Sequence, residues 1–285
     1  AGARIDLKDK QGKTPWRLAL TKNHQAVAKI LRTSMRGRFE AEEVALTAQT
    51  AGVTKEKQEE IMSLARVGNV SAIENHLDHN VPVNLQISET GESLLMAAAS
   101  SGNLSLVEML FRKGAKADLE DIRGRNAVHY GCKYPKIGST VAMRGANLSM
   151  ADTQTGKTAL HLCAAEGHVF DDIMRDLHVK PDVFDNSGQT PLHLASEQGR
   201  TAAVTKLIAL GANVGLAIET SKKTPLHLAA STIHGMDAMR VLVDAGASVT
   251  TLDNRGRLPL HYAAECGSAG NILILCEAIG GTKDI

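Results

Sequence analysis

The chain has 285 residues, of which 43% are hydrophobic and only 3% are aromatic. A single large core usually contains many Phe, Tyr and Trp side chains, whereas this apolar fraction is supplied by Ala, Leu, Val and Ile, which favours thin stacked helices. The 32 basic and 31 acidic residues give a net charge of +1, so bulk charge provides no reason to bind nucleic acid or a membrane surface. No apolar run approaches the roughly 18 residues of a membrane span, and we expect a soluble chain without direct membrane insertion.

The cysteines predict a reducing compartment. Cys132, Cys163, Cys266 and Cys276 show neither Cys-x-x-Cys spacing nor a nearby His pair at zinc-finger spacing, so neither a zinc site nor a disulfide framework is indicated. We therefore expect four free thiols and a cytoplasmic protein, with the nucleus as the alternative location.

A four-residue segment recurs with a period of about 33 residues, and such a period organises a whole fold. The segment reads Thr158-Ala-Leu-His161, Thr190-Pro-Leu-His193, Thr224-Pro-Leu-His227 and Leu258-Pro-Leu-His261, at intervals of 32, 34 and 34 residues. Weaker copies begin at Asn126, Ser93, Glu59 and Thr14. The chain is therefore expected to be a repeat array, in which each unit contacts only its neighbours.

The first predicted element is one unit in residues 1–34, built around Thr14. Residues 35–57 carry no repeat signature and are interpreted as a helical spacer inside one stack. The alternative is a boundary between two arrays, with residues 1–34 closing an upstream one. Thr54 is a candidate N-cap for the helix that follows. Residues 58–285 are expected to hold an array of about seven units.

Each unit of the array follows one internal pattern: a Gly two residues before the Thr, an apolar helix, a Gly near its end, a second helix, and Gly-Ala. Three of these glycines are placed where a hairpin turn needs a positive φ, and three where the first helix must stop. They are Gly156, Gly188 and Gly256 in the turns, and Gly167, Gly199 and Gly267 at the helix ends. Pro at the second motif position suits the first helical turn.

The pattern is least regular near residues 130–145 and 176–183. Pro135 lies where the turn between two helices belongs, and it should end the first helix there. The next unit lacks its Gly-Ala. We expect local distortion and faster local opening in both places, with a partner contact as the alternative explanation.

The last predicted helix contains the run Ile272-Leu273-Ile274-Leu275. Terminal repeats need polar outer faces, and this run is too apolar for one. We therefore expect these side chains to be exposed in the isolated segment and to be covered by further chain or by another molecule. The segment is expected to be part of a longer chain or complex.

The pattern of Thr-Pro-Leu-His with a following Ala-Ala and a closing Gly-Ala appears almost verbatim in residues 185–212, and it resembles the ankyrin repeat family. The resemblance covers nearly the whole chain. It implies an all-α solenoid of about eight stacked helix pairs with β-hairpin-like loops, and a concave binding face formed by those loops and the inner helices. Such a motif is strong evidence for fold and weak evidence for function.

No arrangement of residues indicates an enzyme. Thr and His recur at equivalent places in successive units, whereas a nucleophile and its base are needed once, so these pairs are interpreted as helix caps with imidazole bonds to loop backbone. His76 and His79 could share a helix face, but two ligands do not make a metal site. The phosphate-loop, dinucleotide and zinc-protease motifs are absent from the sequence. We expect no catalytic residues, no metal and no cofactor.

Basic residues dominate the predicted loop tips. With the polar ends of the inner helices, they form the candidate partner-binding set: Arg123, Arg125, Lys133, Tyr134, Lys157, Glu166, Glu197, Gln198, Lys222, Lys223, Arg255 and Arg257. The loop-tip members form one row of cations, of which Arg255 and Arg257 are expected to be solvated, and the row is expected to attract an acidic or phosphorylated segment. The alternative is that exposed turns carry Lys and Arg for solubility.

The sequence thus predicts a non-enzymatic scaffold that binds a protein or peptide through the concave face and the hairpin loops. The alternative is a targeting or regulatory region of a larger enzyme or membrane protein, whose active domain lies outside these residues. Nucleic acid is not an expected partner.

Overall fold

The computed structural model of the chain describes residues 53–87, 89–169 and 179–281. Every regular element in these ranges is a helix, apart from isolated bridges at the loops. The expected unit at residues 1–34, nearly all of the expected spacer at 35–57, and residues 176–178 of the second irregular segment lie outside the described ranges. Within them, no helix is both long enough and apolar enough to cross a lipid bilayer.

The first of two compact units comprises residues 53–130 and Asp152–Gln154. Its helices are α1 (Lys55–Val67), α2 (Val70–Asp78), α3 (Leu94–Ser101) and α4 (Leu104–Arg112), followed by the short α5 (Ala127–Gly131), whose last residue belongs to the second unit. Helix α1 packs on α2 and α3, and α4 packs on α3 and α2. The unit is therefore a stack of antiparallel helix pairs, as a repeat array requires.

The second compact unit comprises residues 131–151, 155–169 and 179–281 of the described chain. Its helices are α6 (Pro135–Met143), α7 (Ala159–Glu166), α8 (Pro191–Glu197), α9 (Thr201–Ala209), α10 (Pro225–Ala230), α11 (Met236–Asp244), α12 (Pro259–Cys266) and α13 (Ala269–Gly281). The inner helices α7, α8, α10 and α12 pack in sequence, and the outer helices α9, α11 and α13 form a second layer. This all-helical stack confirms the predicted repeat solenoid.

Local caps explain where the helices begin and end. The Thr54 hydroxyl accepts from the Lys57 amide at 3.3 Å, so Thr54 caps α1 as expected. All six glycines expected to need a positive φ adopt one. At Gly156 the need is also steric, because a Cβ would lie 2.5 Å from the Asn186 side-chain oxygen of the next repeat.

Aliphatic side chains fill the narrow space between neighbouring helix pairs. In the second unit, Leu192 and Leu226 of inner helices and Leu207 and Leu242 of outer helices are all 0% exposed. Burial of one such side chain contributes about 1.5–3 kcal/mol. A thin core of this kind needs few aromatic residues, in agreement with the composition.

The terminal helix α13 corrects one expectation. Ile274 and Leu275 were expected to be exposed with their neighbours, but they are 6% and 0% exposed, because they face α11 and α12. Leu273 is 61% exposed, and Ile272 is partly exposed. The apolar run is therefore divided between core and surface: two residues belong to the core, one is partly exposed and one lies at the surface.

Pro135 begins α6 instead of interrupting it. The inner helix α5 has only five residues, and Tyr134 is the N-cap residue of α6 without a side-chain cap bond. Proline suits a first helical position, where its missing N–H has no intrahelical partner. The first helix of this repeat is short, as the position of Pro135 predicted; the faster opening expected there stays a prediction.

Cys132 and Cys163 form a disulfide, so the expectation of four free thiols was wrong. Their Cα atoms are 4.6 Å apart, because the two residues occupy neighbouring positions in consecutive repeats. A pair brought together by stacking needs no short spacing in the sequence, which is why the spacing test missed it. Cys266 and Cys276 are free, and the expected reducing compartment now rests on those two residues alone.

Candidate protein-binding surface

The turns that precede inner helices are called fingers. Their described residues are 87 with 89–92, 121–125, 152–157, 185–189, 218–223 and 253–257. In the fingers 185–189 and 253–257, the first amide donates to the last carbonyl at 2.9 Å, and the first residue is a buried Asp. The finger 218–223 has one residue more, and its first residue is Ile218.

Backbone hydrogen bonds join successive fingers within each unit. In the first unit, the Ile122 amide donates to the Thr90 carbonyl at 3.0 Å. In the second unit, Asn186 donates to Thr155 at 2.9 Å and Asn254 to Ser221 at 3.0 Å. Neighbouring fingers are thus held in a fixed register, which gives any side chains on them a defined spacing.

The finger 121–125 carries a closed polar cluster. Asp121 Oδ2 accepts from Arg125 Nε at 2.8 Å and from the Tyr130 hydroxyl at 2.9 Å. The Arg125 guanidinium also donates to the Tyr130 oxygen and lies 4.7 Å from the ring centroid. Burial and the neighbouring Asp121 carboxylate raise the pKa of Tyr130 well above its usual value. These groups satisfy one another.

The same cluster recurs in the finger 253–257, four repeats along the chain. Asp253 Oδ2 accepts from Arg257 Nε at 3.2 Å and from the Tyr262 hydroxyl at 2.6 Å. Burial alone would raise the pKa of Asp253, but hydrogen bonds from Tyr262, Arg257 and the Arg255 amide hold it well below its usual range. Burial and the Asp253 carboxylate raise the pKa of Tyr262 to about 12. Arg257 Nη1 extends the cluster to Glu265 Oε1 at 3.0 Å.

These clusters show that the loop-tip arginines differ in exposure, and they correct the expectation that Arg257 is solvated. Only 27% of the Arg125 side chain and 23% of the Arg257 side chain is exposed, and both charges are neutralised within the chain. Arg123 is 31% exposed and pairs with Asp152 at 2.5 Å. A partner that binds any of these three guanidinium groups would compete with an internal ion pair.

The other predicted cations differ in their surroundings. Arg255 and Lys222 are exposed, and Lys222 holds a positive φ of 56°. Lys157 is half-buried. The Lys223 ammonium lies 4.7 Å from the Tyr262 ring centroid, a cation–π contact that it shares with Arg257. The structure therefore brings Lys223 and Arg257 together and leaves Lys222 and Arg255 at the surface.

The predicted inner-helix residues lie mainly at the surface. Lys133, Glu166, Glu197 and Gln198 are exposed, and Tyr134 is half-buried at the start of α6. Glu197 accepts a long hydrogen bond of 3.4 Å from Gln189 Nε2. The structure therefore leaves most of these polar side chains open to solvent, and their role in partner binding stays a prediction.

The motif histidines are structural, as expected. His193 is 0% exposed; its Nδ1 accepts from the Thr190 amide at 3.2 Å, so the proton is on Nε2, which donates to the Lys223 carbonyl of the next finger at 3.3 Å. Burial lowers the pKa of His193 to about 4, and it lowers the pKa values of His161 and His227 as well. Each imidazole is therefore neutral at physiological pH and joins two repeats.

The described residues contain no group of three or more His, Cys, Asp or Glu side chains suited to a metal ion. His79 Nδ1 is directed to the Asn75 carbonyl of its own helix at 2.7 Å. Neither His76 nor His79 belongs to a group of potential metal ligands among the described residues.

Sequence reasoning missed the paired clusters and the apolar finger residues. Asp121 and Asp253 begin matching segments, Asp-Ile-Arg-Gly-Arg and Asp-Asn-Arg-Gly-Arg, and a comparison of repeats four periods apart would have revealed the pair. Phe184 and Leu252 immediately precede the finger Asp residues of the second unit and are 49% and 55% exposed. Their exposure has no signature in a single repeat, because the same position holds Ala in some repeats and a polar residue in others.

Curated relatives share part of this sequence. The segment is 32% identical over 191 residues to the probable E3 ubiquitin-protein ligase XBOS32 of Oryza sativa subsp. japonica, covering 55% of this chain and 38% of the relative. It is 29% identical over 187 residues to the human transient receptor potential cation channel subfamily A member 1, covering 64% of this chain and 14% of the channel. The chain thus spans well under half of either relative.

Solved structures and a family profile identify the fold. The human ASB11 ankyrin repeat domain matches with a TM-score of 0.64 at 24% identity, over 76% of this chain and 96% of that one. The ankyrin repeat domain of Bcl-3 matches with a TM-score of 0.57 at 22% identity, over 76% and 97%. The profile described as ankyrin repeats (3 copies) matches residues 61–152, 138–218 and 206–284. The chain belongs to the ankyrin repeat family.

Proposed function

We propose that this segment is a non-enzymatic scaffold that binds a protein or peptide through its fingers and the adjacent ends of its inner helices. The observation that carries the proposal is the contrast between the finger backbones of the second unit and the apolar residues beside them. Hydrogen bonds within the chain hold the finger backbones, whereas Phe184 and Leu252, each one residue before a finger, are half exposed. Exposed apolar side chains on a rigid, polar-rimmed framework favour protein binding.

We further propose that the partner carries an acidic or phosphorylated segment near the tips of the second unit. Lys222 and Arg255 support this proposal because both are exposed, and the Asn254–Ser221 backbone bond fixes the spacing of their fingers. Arg257 is no longer part of the proposed contact, since Asp253 and Glu265 already neutralise it. The attraction is screened over about 8 Å at physiological salt, so it should act mainly on the association rate.

Affinity capture followed by association kinetics tests both levels of the proposal. The protein is immobilised, and the proteins that it captures are identified by mass spectrometry. The association rate of each purified candidate is then measured with the wild type and with the Arg255→Glu variant. Arg240→Glu, on the outer helix α11, makes the same charge change at another exposed arginine and serves as the control. Slower association with Arg255→Glu alone supports an acidic contact at the fingers. Equal rates for both variants and no salt dependence would reject it, and the absence of any saturable partner would reject the scaffold.

The second candidate is a targeting or regulatory region of a larger enzyme or membrane protein. It is favoured by the names of the relatives, a ubiquitin ligase and a cation channel, of which the matched segments form only a part. The complete transcript decides between the two: a catalytic or membrane-spanning domain beyond these residues supports this alternative. The expected cytoplasmic or nuclear location is tested by imaging the tagged full-length protein.

A further inference from the structure

Two fingers of the second unit have the same framework. Asp185 and Asp253 occupy the same position two repeats apart, and each is 6% exposed. Asp185 Oδ1 accepts from the amides of Ser187 and Gln189 at 2.8 and 2.9 Å. Asp253 Oδ1 accepts from the two corresponding amides, both at 2.8 Å. In both fingers, one carboxylate oxygen is fully used to hold the turn.

The second carboxylate oxygen differs between the two fingers. Asp253 Oδ2 is paired with the Arg257 guanidinium and the Tyr262 hydroxyl. Asp185 Oδ2 is buried and has no hydrogen-bond partner among the described residues. The reason is in the sequence, because Gln189 occupies the place of the arginine and Leu194 that of the tyrosine.

A buried carboxylate oxygen without a donor is costly, because it has lost its water and gained nothing in return. Such an atom therefore requires an explanation in a folded protein. The nearby imidazoles of His161 and His193 are neutral at physiological pH and already bonded to backbone carbonyls. They supply no compensating charge to Asp185.

A second carboxylate completes the arrangement. Glu265 lies twelve residues after Asp253, and Arg257 donates to both of them. Glu197 lies twelve residues after Asp185, but the only side chain that reaches it from the finger is Gln189, through one hydrogen bond of 3.4 Å. Asp185 and Glu197 thus correspond to the two acceptors of Arg257, while the guanidinium between them is missing.

We infer that the Asp185 notch, defined by Asp185, Gln189, Leu194 and Glu197, binds the side chain of one arginine from the protein partner. The incoming guanidinium donates to Asp185 Oδ2 and Glu197, as Arg257 does in the other finger, and the Gln189 amide is displaced from Glu197. A planar fork with several donors suits two separated carboxylates, whereas the ammonium of lysine is a single compact charge.

This inference deepens the proposed function, on which it rests for the source of the arginine. The notch places a basic residue on the partner, whereas the groups of the partner that meet Lys222 and Arg255 are acidic. A partner with one arginine beside acidic groups meets both requirements. A surface that needs both an arginine and acidic groups selects among partners better than one that needs only acidic groups. The reason is that an unmatched charge on either molecule costs free energy.

The test uses N-acetyl-arginine methylamide as the probe and the isotope-labelled protein in nuclear magnetic resonance. The amides of Ser187 and Gln189 report directly, since both donate to Asp185. We expect their resonances to shift saturably with the arginine probe, and at least tenfold more weakly with the neutral citrulline and the lysine analogues. Equal responses to arginine and citrulline, or no response, would overturn the inference.

Two variants provide matched controls. Gln189→Arg should fill the notch from within, abolish the response to the probe and raise the thermal midpoint. The double variant Arg257→Gln, Tyr262→Leu gives the finger 253–257 the residues found at Gln189 and Leu194. It should make the resonance of the Arg255 amide shift with the arginine probe. If the probe shifts the Ser187 amide equally in the wild type and in Gln189→Arg, it binds elsewhere and the notch is rejected.

The probe experiment does not depend on finding a partner. If the arginine probe fails while a protein is captured by the fingers, only the notch is refuted. If no protein is captured while the probe binds as expected, the scaffold proposal fails and the notch remains a guanidinium site.

Discussion

Replacement of His193 by alanine should destabilise the protein by about 3 kcal/mol at pH 7.5. The change removes an acceptor from the Thr190 amide and a donor from the Lys223 carbonyl, which belong to consecutive repeats. The Thr190 amide is left without a partner, which costs about 1–3 kcal/mol. The Lys223 carbonyl keeps its bond from the Ile218 amide and loses only its second donor, and the cavity left by the imidazole adds to the cost. Because His193 is completely buried, water cannot replace the lost bonds without first entering the stack.

His261 provides the internal control for this substitution. It occupies the same motif position, but it is exposed, and its Nδ1 accepts a 3.0 Å hydrogen bond from the Leu258 amide. Solvent can take over that bond. His261→Ala should therefore cost less than about 1 kcal/mol in the same assay, urea unfolding followed by far-ultraviolet circular dichroism.

The cost of His193→Ala should shrink as the pH is lowered. Both folded and unfolded chains hold a neutral imidazole above pH 6.5, so its stabilisation is complete there. Below that value the unfolded chain takes up a proton first, since the folded pKa of His193 is about 4. Stability falls across this window, and by pH 5 the wild type should have lost about 2 kcal/mol through this residue.

The difference between the wild type and His193→Ala should accordingly narrow from about 3 to about 1 kcal/mol between pH 7.5 and pH 5. Equal costs for the two alanine variants, or a difference that does not change with pH, would refute the role assigned to the buried imidazole. Loss of partner binding with unchanged stability would instead indicate a functional histidine.

Two further predictions concern the core and the disulfide. Leu275→Ala should lower stability by about 2–5 kcal/mol because the side chain is fully buried, whereas the exposed Leu273→Ala should stay within about 1 kcal/mol; equal urea midpoints would contradict the packing of α13. Alkylation of the denatured, unreduced protein should label two of its four cysteines, and Cys132→Ser with Cys163→Ser should cost about 3–4 kcal/mol by loop-closure entropy; labelling of all four without reductant would contradict the disulfide.

The repeat motif allowed much of the fold to be predicted, because its requirements are local. Thr190 and His193 are three residues apart, so the helix start alone brings them together, and the predicted caps are confirmed. Gly156 and Gly267 were placed correctly for the same reason: a tight turn or a helix end demands a positive φ whatever surrounds it.

The surface could not be predicted as well, because side-chain contacts depend on which residues the stack brings together. Arg257 was expected to be solvated, and only the placement of Tyr262 and Asp253 beside it shows that it is neutralised. Cys132 and Cys163 are 31 residues apart and meet only because consecutive repeats stack. The backbone requirements of the motif were therefore predictable. The side-chain partners were not, whether they lie within one repeat, as at Arg257, or in consecutive repeats, as at Cys132.

The two oxygens of each finger Asp have separate tasks, and this separation bears on how the surface can change during evolution. One oxygen maintains the turn in both Asp185 and Asp253, so the turn does not depend on the residue four positions later. Arginine and glutamine codons can differ by a single base. One point mutation at the position of Gln189 or Arg257 can therefore open or close a finger without dismantling the repeat, and binding specificity can drift along the array while the scaffold is conserved.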